Sequence, residues 1–519
     1  IMILASSLDH ADTSWIVLYI AFVPPFDNPV DAPHNKAIYS LARALGRFSS
    51  LLSGVDRRLF RIPGMERLAK RAKSEMTGAD EKQELESLER VSWRLVNTQD
   101  AQLGQVLGKL IPVMVNKLNE TESLAVKQLV LKILAHANAR LGSGPASAAG
   151  TLSMSPAGIY QAYSAASNPV AKNIGLVYTQ KAFERCPEAE RPAIINMVVT
   201  DIHKKPREHR SALLLHAFVS LRGLSPAAVS AVCESNPNVL EDLETEGRRR
   251  DAHMFLEQAT KLLMYVPGRD GPGAAMMAGL STADVEAMAK IPLLQYETVE
   301  QVQLGVLEYV YAATMDPNSV HLLYLAAASS PFTAVGKRGE AMLAKTCVVD
   351  TARPTVDVEN RDALKNLYDA YLGNLEDETV PEGLRRQPAS RALQSRIIVV
   401  LCKSTLACNM NPESSMLIHD AIFGSAAGVS SQQQGMQFAV HVLRHADSLK
   451  YLAPSVIQHS LRILETSQGN ANMNALRGFA YQSLGQLAQR DPATLEEHKI
   501  ELSKQCFEAL KIEPPGVRS

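Results

Sequence analysis

Apolar side chains recur every three or four residues through most of the chain, with polar side chains between them. The first three apolar runs lie at residues 85–96, 103–118 and 124–137, and polar breaks at 97–100 and 119–122 separate them. This spacing places the apolar groups on one face of an α-helix. Each face is too broad for a single neighbour to cover. We therefore predict helices stacked in antiparallel pairs, each pair burying its apolar face on the next.

The same pattern continues along the chain, where short polar links and prolines separate the helical segments. Further helices are predicted at 169–183, 194–202, 211–221, 226–233, 302–313, 320–328, 339–348, 363–372, 390–407, 413–422, 433–446, 454–465, 473–489 and 495–510. Ser225-Pro226 and Asp491-Pro492 each look like an N-cap followed by a first-turn proline. Helix pairs recur at roughly 35 to 50 residues, the range of HEAT and armadillo units. The pattern predicts an all-α fold, an α-solenoid of HEAT/armadillo-like antiparallel helix pairs.

Composition shifts and glycine-rich stretches suggest three parts. Residues 1–75 combine an apolar run, a proline-rich stretch and a basic segment, and we expect an atypical, poorly ordered extension before Met76. The stretch GSGPASAAG at 142–150 predicts a linker or long loop, and PGRDGPG at 267–273 predicts a second. We therefore expect a first helical array at residues 76–270 and a second, continuous with it, at residues 271–519.

Net charge, hydropathy and cysteine spacing each argue against one class of protein. The formal net charge is -1 and the pI is near 7.0, so no whole-chain field attracts nucleic acid. Trp15–Val23 is an apolar run of nine residues, whereas a membrane-spanning helix needs about 20, so no membrane insertion is expected. The six cysteines are scattered without a CxxC pair, which favours a reducing compartment over a disulfide framework.

Local motifs predict no catalytic, cofactor-binding or metal-binding residues, and no cofactor. Phosphate-binding glycine loops, nucleophile elbows and kinase motifs do not occur in the sequence. His441 and His445 have the spacing of a zinc-binding pair, but Val442 stands where HExxH has its glutamate. We expect these to be two partly exposed histidines. Cys402 and Cys408 are expected to be small buried side chains, on or just after one helix.

Two charged segments admit more than one interpretation. His203, His209 and His216 flank a basic segment that holds Lys204, Lys205, Arg207 and Arg210. This segment could bind phosphate, but a solvated loop before a helix at Ser211 is the favoured prediction. Arg248–Arg250 follow the acidic run 241–246, and we expect a self-neutralising surface there.

An ordered set of segments resembles one family. Residues 84–140 begin ELESLERVSWRLV and carry Leu110-Ile111-Pro112 within a helix, as do the proteasome-associated HEAT-repeat adaptor and scaffold proteins. Comparable segments follow in the family order: SALLLHAF (211–218), KLLMYVPG (261–268), LKNLYDAYLGN (364–374), ASRALQSRIIVVLCKS (389–404), DAIFGS (420–425), QQGMQFAVHVL (433–443) and the stretch 480–510. The resemblance covers about residues 81 to 510. Family proteins are several times longer than this chain, and residues 1–75 lie outside the match.

This resemblance implies a non-enzymatic scaffold. Its members bind the 26S proteasome, tether the core particle to the regulatory particle and support proteasome assembly and quality control. The implied partners are the 26S proteasome and other proteins, and the implied location is cytoplasmic and nuclear. The family supplies no catalytic residues to carry over.

Two other functions stay open on the sequence. One is a different HEAT-repeat interaction scaffold, such as a transport receptor or a phosphatase-type scaffold. The other is an enzyme with a site that leaves no local motif. For the helix stack itself, the expected consequence is that Leu131→Asp destabilises the fold by several kcal/mol, because we expect Leu131 to be buried.

Overall fold

The structure, a computed structural model, describes residues 78–142, 153–234, 240, 246–268, 276–314, 316–347, 354–424, 428–467, 469–514 and 517. Within these ranges all regular structure is helical, and β pairing is limited to two isolated bridges, Val266 with Met276 and Ser281 with Arg386. The predicted all-α fold is confirmed. The expected extension at 1–75 lies outside the described residues, as do most residues of the two expected loops. The division into arrays at 76–270 and 271–519 stays a prediction.

Nine helices occupy the described residues before 268. They are α1 (Gly78–Asn97), α2 (Asp100–Glu120), α3 (Leu124–Gly142), α4 (Ala157–Ala165), α5 (Pro169–Glu184), α6 (Arg191–Asp201), α7 (Arg207–Ser220), α8 (Pro226–Glu234) and α9 (Glu246–Met264). Pro226 is the first residue of α8, as the sequence predicted. Asn168 accepts from the Val170 N–H before α5, and Ser225 Oγ accepts from the Ala228 N–H at α8.

Twelve helices occupy the described residues from 276 onward. They are α10 (Thr282–Ala289), α11 (Val299–Ala313), α12 (Pro317–Ala328), α13 (Thr333–Cys347), α14 (Arg361–Leu372), α15 (Arg391–Leu401), α16 (Glu413–Phe423), α17 (Val429–His445), α18 (Ala453–Thr466), α19 (Asn474–Arg490), α20 (Pro492–Leu495) and α21 (Lys499–Ile512). Side chains cap several of their N-termini. The Ser281 hydroxyl and the Asp284 carboxylate form a reciprocal capping box at α10.

Helices contact mainly their near neighbours along the chain. Helix α2 packs against α3, α4 and α5, helix α5 packs against α7, and helix α17 packs against α15, α16 and α19. The buried apolar residues form two clusters, one from Leu88 to Ala182 and one from Tyr160 to Leu487. Helices α4 and α5 contribute to both clusters, so this pair is apolar on two sides. A layer that buries one side on the preceding pair and the other on the following pair is what a helical solenoid requires.

Arginines at helix ends join successive layers. Arg140, Arg185 and Arg490 donate to the carbonyl oxygens of Leu95, Leu141 and Leu443, at sequence separations of 45, 44 and 47 residues. Each accepting carbonyl lies in the last turn of a helix, where no intrahelical donor exists. These bonds recur at the spacing that the sequence predicted for the helix pairs.

Several predicted boundaries are wrong. The helix expected at 390–407 ends at Leu401, and a 3₁₀ turn at Leu406–Asn409 follows. The Glu359 carboxylate holds this turn by accepting from the backbone N–H groups of Thr405 and Leu406, at 2.7 Å each. Asp491 does not cap α20 through its side chain, and that helix is only four residues long. Helices α9 and α10 were not predicted.

Leu131 lies on the outer side of α3. Its side chain is 38% exposed, while its neighbour Val130 is fully buried. The expectation that Leu131→Asp buries an unpaired charge is therefore wrong. Only one side of a helix packs against its neighbours. Apolar residues occupy a wide arc of α3, so the sequence did not show which of them face the neighbouring helices.

Within the described residues, no helix is both long enough and apolar enough to cross a membrane.

Candidate interaction surfaces

Two basic side chains of the segment before Ser211, Lys205 and Arg210, bond to other helices, while Lys204 and Arg207 are exposed. Lys205 is only 4% exposed. Its ammonium lies 4.6 Å from the centre of the Tyr160 ring and 5.4 Å from that of Tyr163, and it donates to the Ser164 hydroxyl. A desolvated cation over an aromatic face is attracted by the electron density of the ring. Lys205 thus fastens the turn before α7 to α4.

The neighbouring polar side chains extend this contact. His209 is buried, with Nδ1 3.1 Å from the Tyr163 hydroxyl and Nε2 3.1 Å from Asn173 Oδ1. Burial lowers the pKa of His209, so the neutral ring is favoured. Arg210 donates to Asp251 at 2.8 Å and so joins α7 to α9.

The predicted solvated loop is therefore wrong, because α7 already begins at Arg207, and Lys205 and Arg210 bond to side chains of other helices. His216 is also buried, with Nε2 3.3 Å from the Glu184 carboxylate. These groups connect layers of the stack. Arg250 pairs with Glu246 at 3.2 Å on the surface. Residues 241–245 of the acidic run lie outside the described residues, so the self-neutralising surface stays a prediction.

The histidine pair on α17 has no third metal ligand in the part of the chain that the structure describes. The rings of His441 and His445 lie 4.7 Å apart, and His441 Nε2 is 3.1 Å from the Ser404 carbonyl oxygen. Burial and the neighbouring cationic side chains lower the pKa of His445. Cys408 is buried, as predicted, and burial raises its thiol pKa to about 12. Cys402 is half-buried and its thiol pKa is raised to about 11.

A cavity of about 610 Å³ lies between α19 and α21. Leu484, Leu495, Leu502 and Phe507 provide much of its apolar lining, and Glu496, Lys499 and Glu513 stand among its polar groups.

An ordered loop links α14 to α15, and we refer to residues 373–390 as the acidic loop. Its stem is tied to the body of the fold. The Ala389 N–H donates to the Ala370 carbonyl at 3.0 Å, and the Gln387 N–H donates to the Leu280 carbonyl at 3.0 Å. Gly373 begins the loop with φ +67°, and a Cβ there would lie 2.6 Å from the Arg386 carbonyl oxygen. Only glycine fits this position without strain.

The tip of the acidic loop, residues 375–384, is exposed and carries one sign of charge. Its sequence LEDETVPEGL holds four carboxylates and no lysine or arginine. Leu375 is 40% exposed and Leu384 is 55% exposed, so an apolar side chain stands at each end of the tip. The sequence prediction missed this feature. The sequence did carry signals of the loop: Gly373, Pro381 and Pro388 interrupt the helical pattern between the helices predicted at 363–372 and 390–407.

Comparison with known proteins identifies the family. A family model described as "Proteasome component ECM29, N-terminal" matches residues 88–519. The chain belongs to this family. The curated Homo sapiens protein "Proteasome adapter and scaffold protein ECM29" is 22% identical over an alignment of 464 residues, and the alignment covers 84% of this chain and 24% of that protein. The chain thus spans about a quarter of the length of that ECM29 relative.

The family resemblance predicted from the sequence is confirmed by this match. Among solved structures, a crystal structure of an engineered protein aligns with 84% of this chain and 96% of its own chain. The two share 11% sequence identity with a TM-score of 0.26, a likeness too low to support any structural argument.

Proposed function

We propose that this chain is the proteasome-binding N-terminal part of a scaffold that tethers the proteasome core particle to the regulatory particle. It supports proteasome assembly and quality control, and it acts in the cytoplasm and the nucleus without catalysing a reaction. The observation that carries the proposal is membership of the ECM29 N-terminal family over residues 88–519. The name of the human relative, a proteasome adapter and scaffold protein, supports the same assignment.

The fold is suited to holding partners. In a stack of helix pairs the side chains between layers maintain the architecture, whereas helix ends and connecting loops remain at the surface. Arg140, Lys205 and Arg210 are examples of charged groups whose bonds run between helices. A stable protein–protein contact buries about 800 Å² on each partner, which a few adjacent helix ends and loops can supply. Separate stretches of one stack can therefore hold two particles together.

A binding experiment tests the proposal. The chain would be immobilised and incubated separately with purified core particle, regulatory particle and 26S proteasome, with an unrelated helical-repeat protein as the control. We expect specific capture of both particles, and we expect added chain to slow separation of the 26S proteasome into its two particles at raised salt. Capture of neither particle would refute the proposal. Recovery from cell extract of transport cargo or a phosphatase catalytic subunit, without proteasome subunits, would favour the alternative scaffold.

Imaging in cells and crosslinking to proteasomes test the proposed location and the proposed tethering. The tagged protein, imaged at native expression level, should be found in both the cytoplasm and the nucleus, and exclusive localisation to another compartment would contradict the proposal. Crosslinking of the chain to 26S proteasomes, followed by peptide mapping, should join residues of loops and helix ends to subunits of both particles. Crosslinks to one particle alone would support binding but contradict tethering.

A further inference from the structure

We propose that the acidic loop is a docking element for a basic protein surface that has an apolar depression. The inference rests on the proposed function, since we place that basic surface on the proteasome. The two exposed leucines would enter the depression, and the carboxylates between them would face lysine or arginine side chains around it.

The acidic loop is held in shape before any partner arrives. The Asn374 N–H donates to the Arg386 carbonyl, and Arg385 Nε donates to the Val380 carbonyl at 2.9 Å. Inside the tip, the Asp377 carboxylate accepts from both the backbone N–H and the hydroxyl of Thr379. Association costs less ordering entropy when the binding segment is already rigid, so a loop fixed in this way is suited to recognition.

The exposure of the two leucines points to a protein partner. The loop buries other apolar side chains: Ala389 in its stem is only 6% exposed. Leu375 and Leu384 instead face solvent, although the loop backbone has a defined path between them. Single exposed leucines are common on protein surfaces. Here two exposed leucines stand at the two ends of one charged, hydrogen-bonded loop, and apolar groups with polar groups around them are the composition of a protein interface.

The charge pattern specifies a basic partner. Glu376, Glu378 and Glu382 are exposed, and the two arginines of the loop lie in its stem, where Arg385 bonds to carbonyl oxygens of the loop itself. The carboxylates do not converge with other ligands on a metal site in the described part of the chain. A field of this sign repels nucleic acid and anionic membrane surfaces and attracts lysine and arginine.

The apolar contribution is tested with a double substitution, L375S and L384S. Binding to purified 26S proteasome would be measured by biolayer interferometry, with the immobilised chain as the probe. The matched control is V399S with M416S, because those two side chains are 51% and 50% exposed but lie on helices α15 and α16. We expect the loop variant to bind about tenfold more weakly than the parent, since central apolar contacts dominate interface energies, and the control to bind as the parent does.

The charge contribution is tested with two triple variants of Glu376, Glu378 and Glu382, one to glutamine and one to lysine. Asp377 stays unchanged because it bonds to Thr379. Binding of the parent should weaken as salt rises, and the glutamine variant should lose most of that salt dependence. The lysine variant should bind more weakly than the glutamine variant. Glutamine at Glu86, Glu89 and Glu508, which are exposed and outside the loop, provides the control and should leave binding unchanged.

The outcomes separate this inference from the proposed function. If the parent chain captures no proteasome particle, the proposed function fails and the docking inference fails with it. If the parent binds and all three loop variants bind as well as the parent, only the docking inference is overturned. Tighter binding by the lysine variant would also overturn it, because the partner surface would then be acidic. Thermal melts of each variant, monitored by circular dichroism, should match the parent, since every substituted side chain is exposed.

Discussion

A buried ion pair near the end of the described chain allows one prediction to be worked out in detail. Arg477 on α19 is 3% exposed, and Glu513, which follows α21, is 8% exposed. The pair is bidentate: Nε lies 2.8 Å from Oε1 and Nη2 lies 3.0 Å from Oε2. Arg477 Nη1 also donates to the carbonyls of Ser467 and Asn470, at 2.6 and 2.8 Å. The arginine thus joins α21 and the end of α18 to α19.

The perturbation is Glu513→Gln, which removes the negative charge and nearly preserves the shape. Arg477 would remain buried with a neutral partner. Removing one member of a buried, hydrogen-bonded pair costs about 3–5 kcal/mol. The amide retains one acceptor oxygen and the two carbonyl contacts remain, so we expect the lower part of this range, about 3 kcal/mol. The effect should be local to α19 and α21, because each layer of a helical stack is stabilised mainly by its neighbours.

Native-state hydrogen exchange is the suitable assay, since a long helical stack need not unfold in one step. A loss of about 3 kcal/mol corresponds to roughly a hundredfold faster exchange of protected amides in α21. The double variant Arg477→Met with Glu513→Leu provides the matched control, because replacing both partners by apolar groups restores much of the lost stability. Unchanged exchange in α21 of the Glu513→Gln variant would refute the reasoning.

Three further predictions follow from burial. Leu131→Asp should shift the midpoint of urea unfolding only slightly, whereas Val130→Asp, which places a charge at a fully buried position, should cost several kcal/mol; similar effects would contradict the assigned helix face. Gly305→Ala should destabilise the junction of α11 with α7, because a Cβ at Gly305 would lie 2.3 Å from a backbone oxygen, and a thermal melt equal to the parent would contradict this. Burial lowers the pKa of His321 and His459 to about 4, so the stability that the two neutral rings contribute is complete above pH 6.5 and is lost as the pH falls towards 4. His321→Leu should therefore reduce the difference in unfolding free energy between pH 7 and pH 5, measured by urea unfolding. An unchanged difference would contradict the role of His321.

Much of the architecture could be predicted from the sequence. Apolar positions three and four residues apart identified α2 and most later helices, because helical periodicity is a local property of the chain. Prolines and N-cap residues marked the starts of α5 and α8 for the same reason. The ordered segments between residues 81 and 510 also led to the family, which the match over 88–519 confirms.

The tertiary structure decided which faces and charges are covered. The sequence analysis placed Lys205 in a solvated loop, because its aromatic partner, Tyr160, lies on another helix 45 positions earlier in the chain. The helix expected to continue to residue 407 ends at Leu401. The turn after it is held by the carboxylate of Glu359, which lies more than 40 residues earlier in the chain. Leu131 faces outward although Leu129 and Val130, the two residues before it, are also apolar.

The same distinction applies to the candidate surfaces. The sequence LEDETVPEGL indicates a polar link between two helices. The conformation of the acidic loop, however, depends on backbone hydrogen bonds from its stem to Leu280 and Ala370. Local sequence determines whether a segment can be a helix or a link, because backbone conformation depends on near neighbours. Burial, pairing and exposure depend on groups brought together from distant parts of the chain, and only the folded arrangement of the helices places those groups side by side.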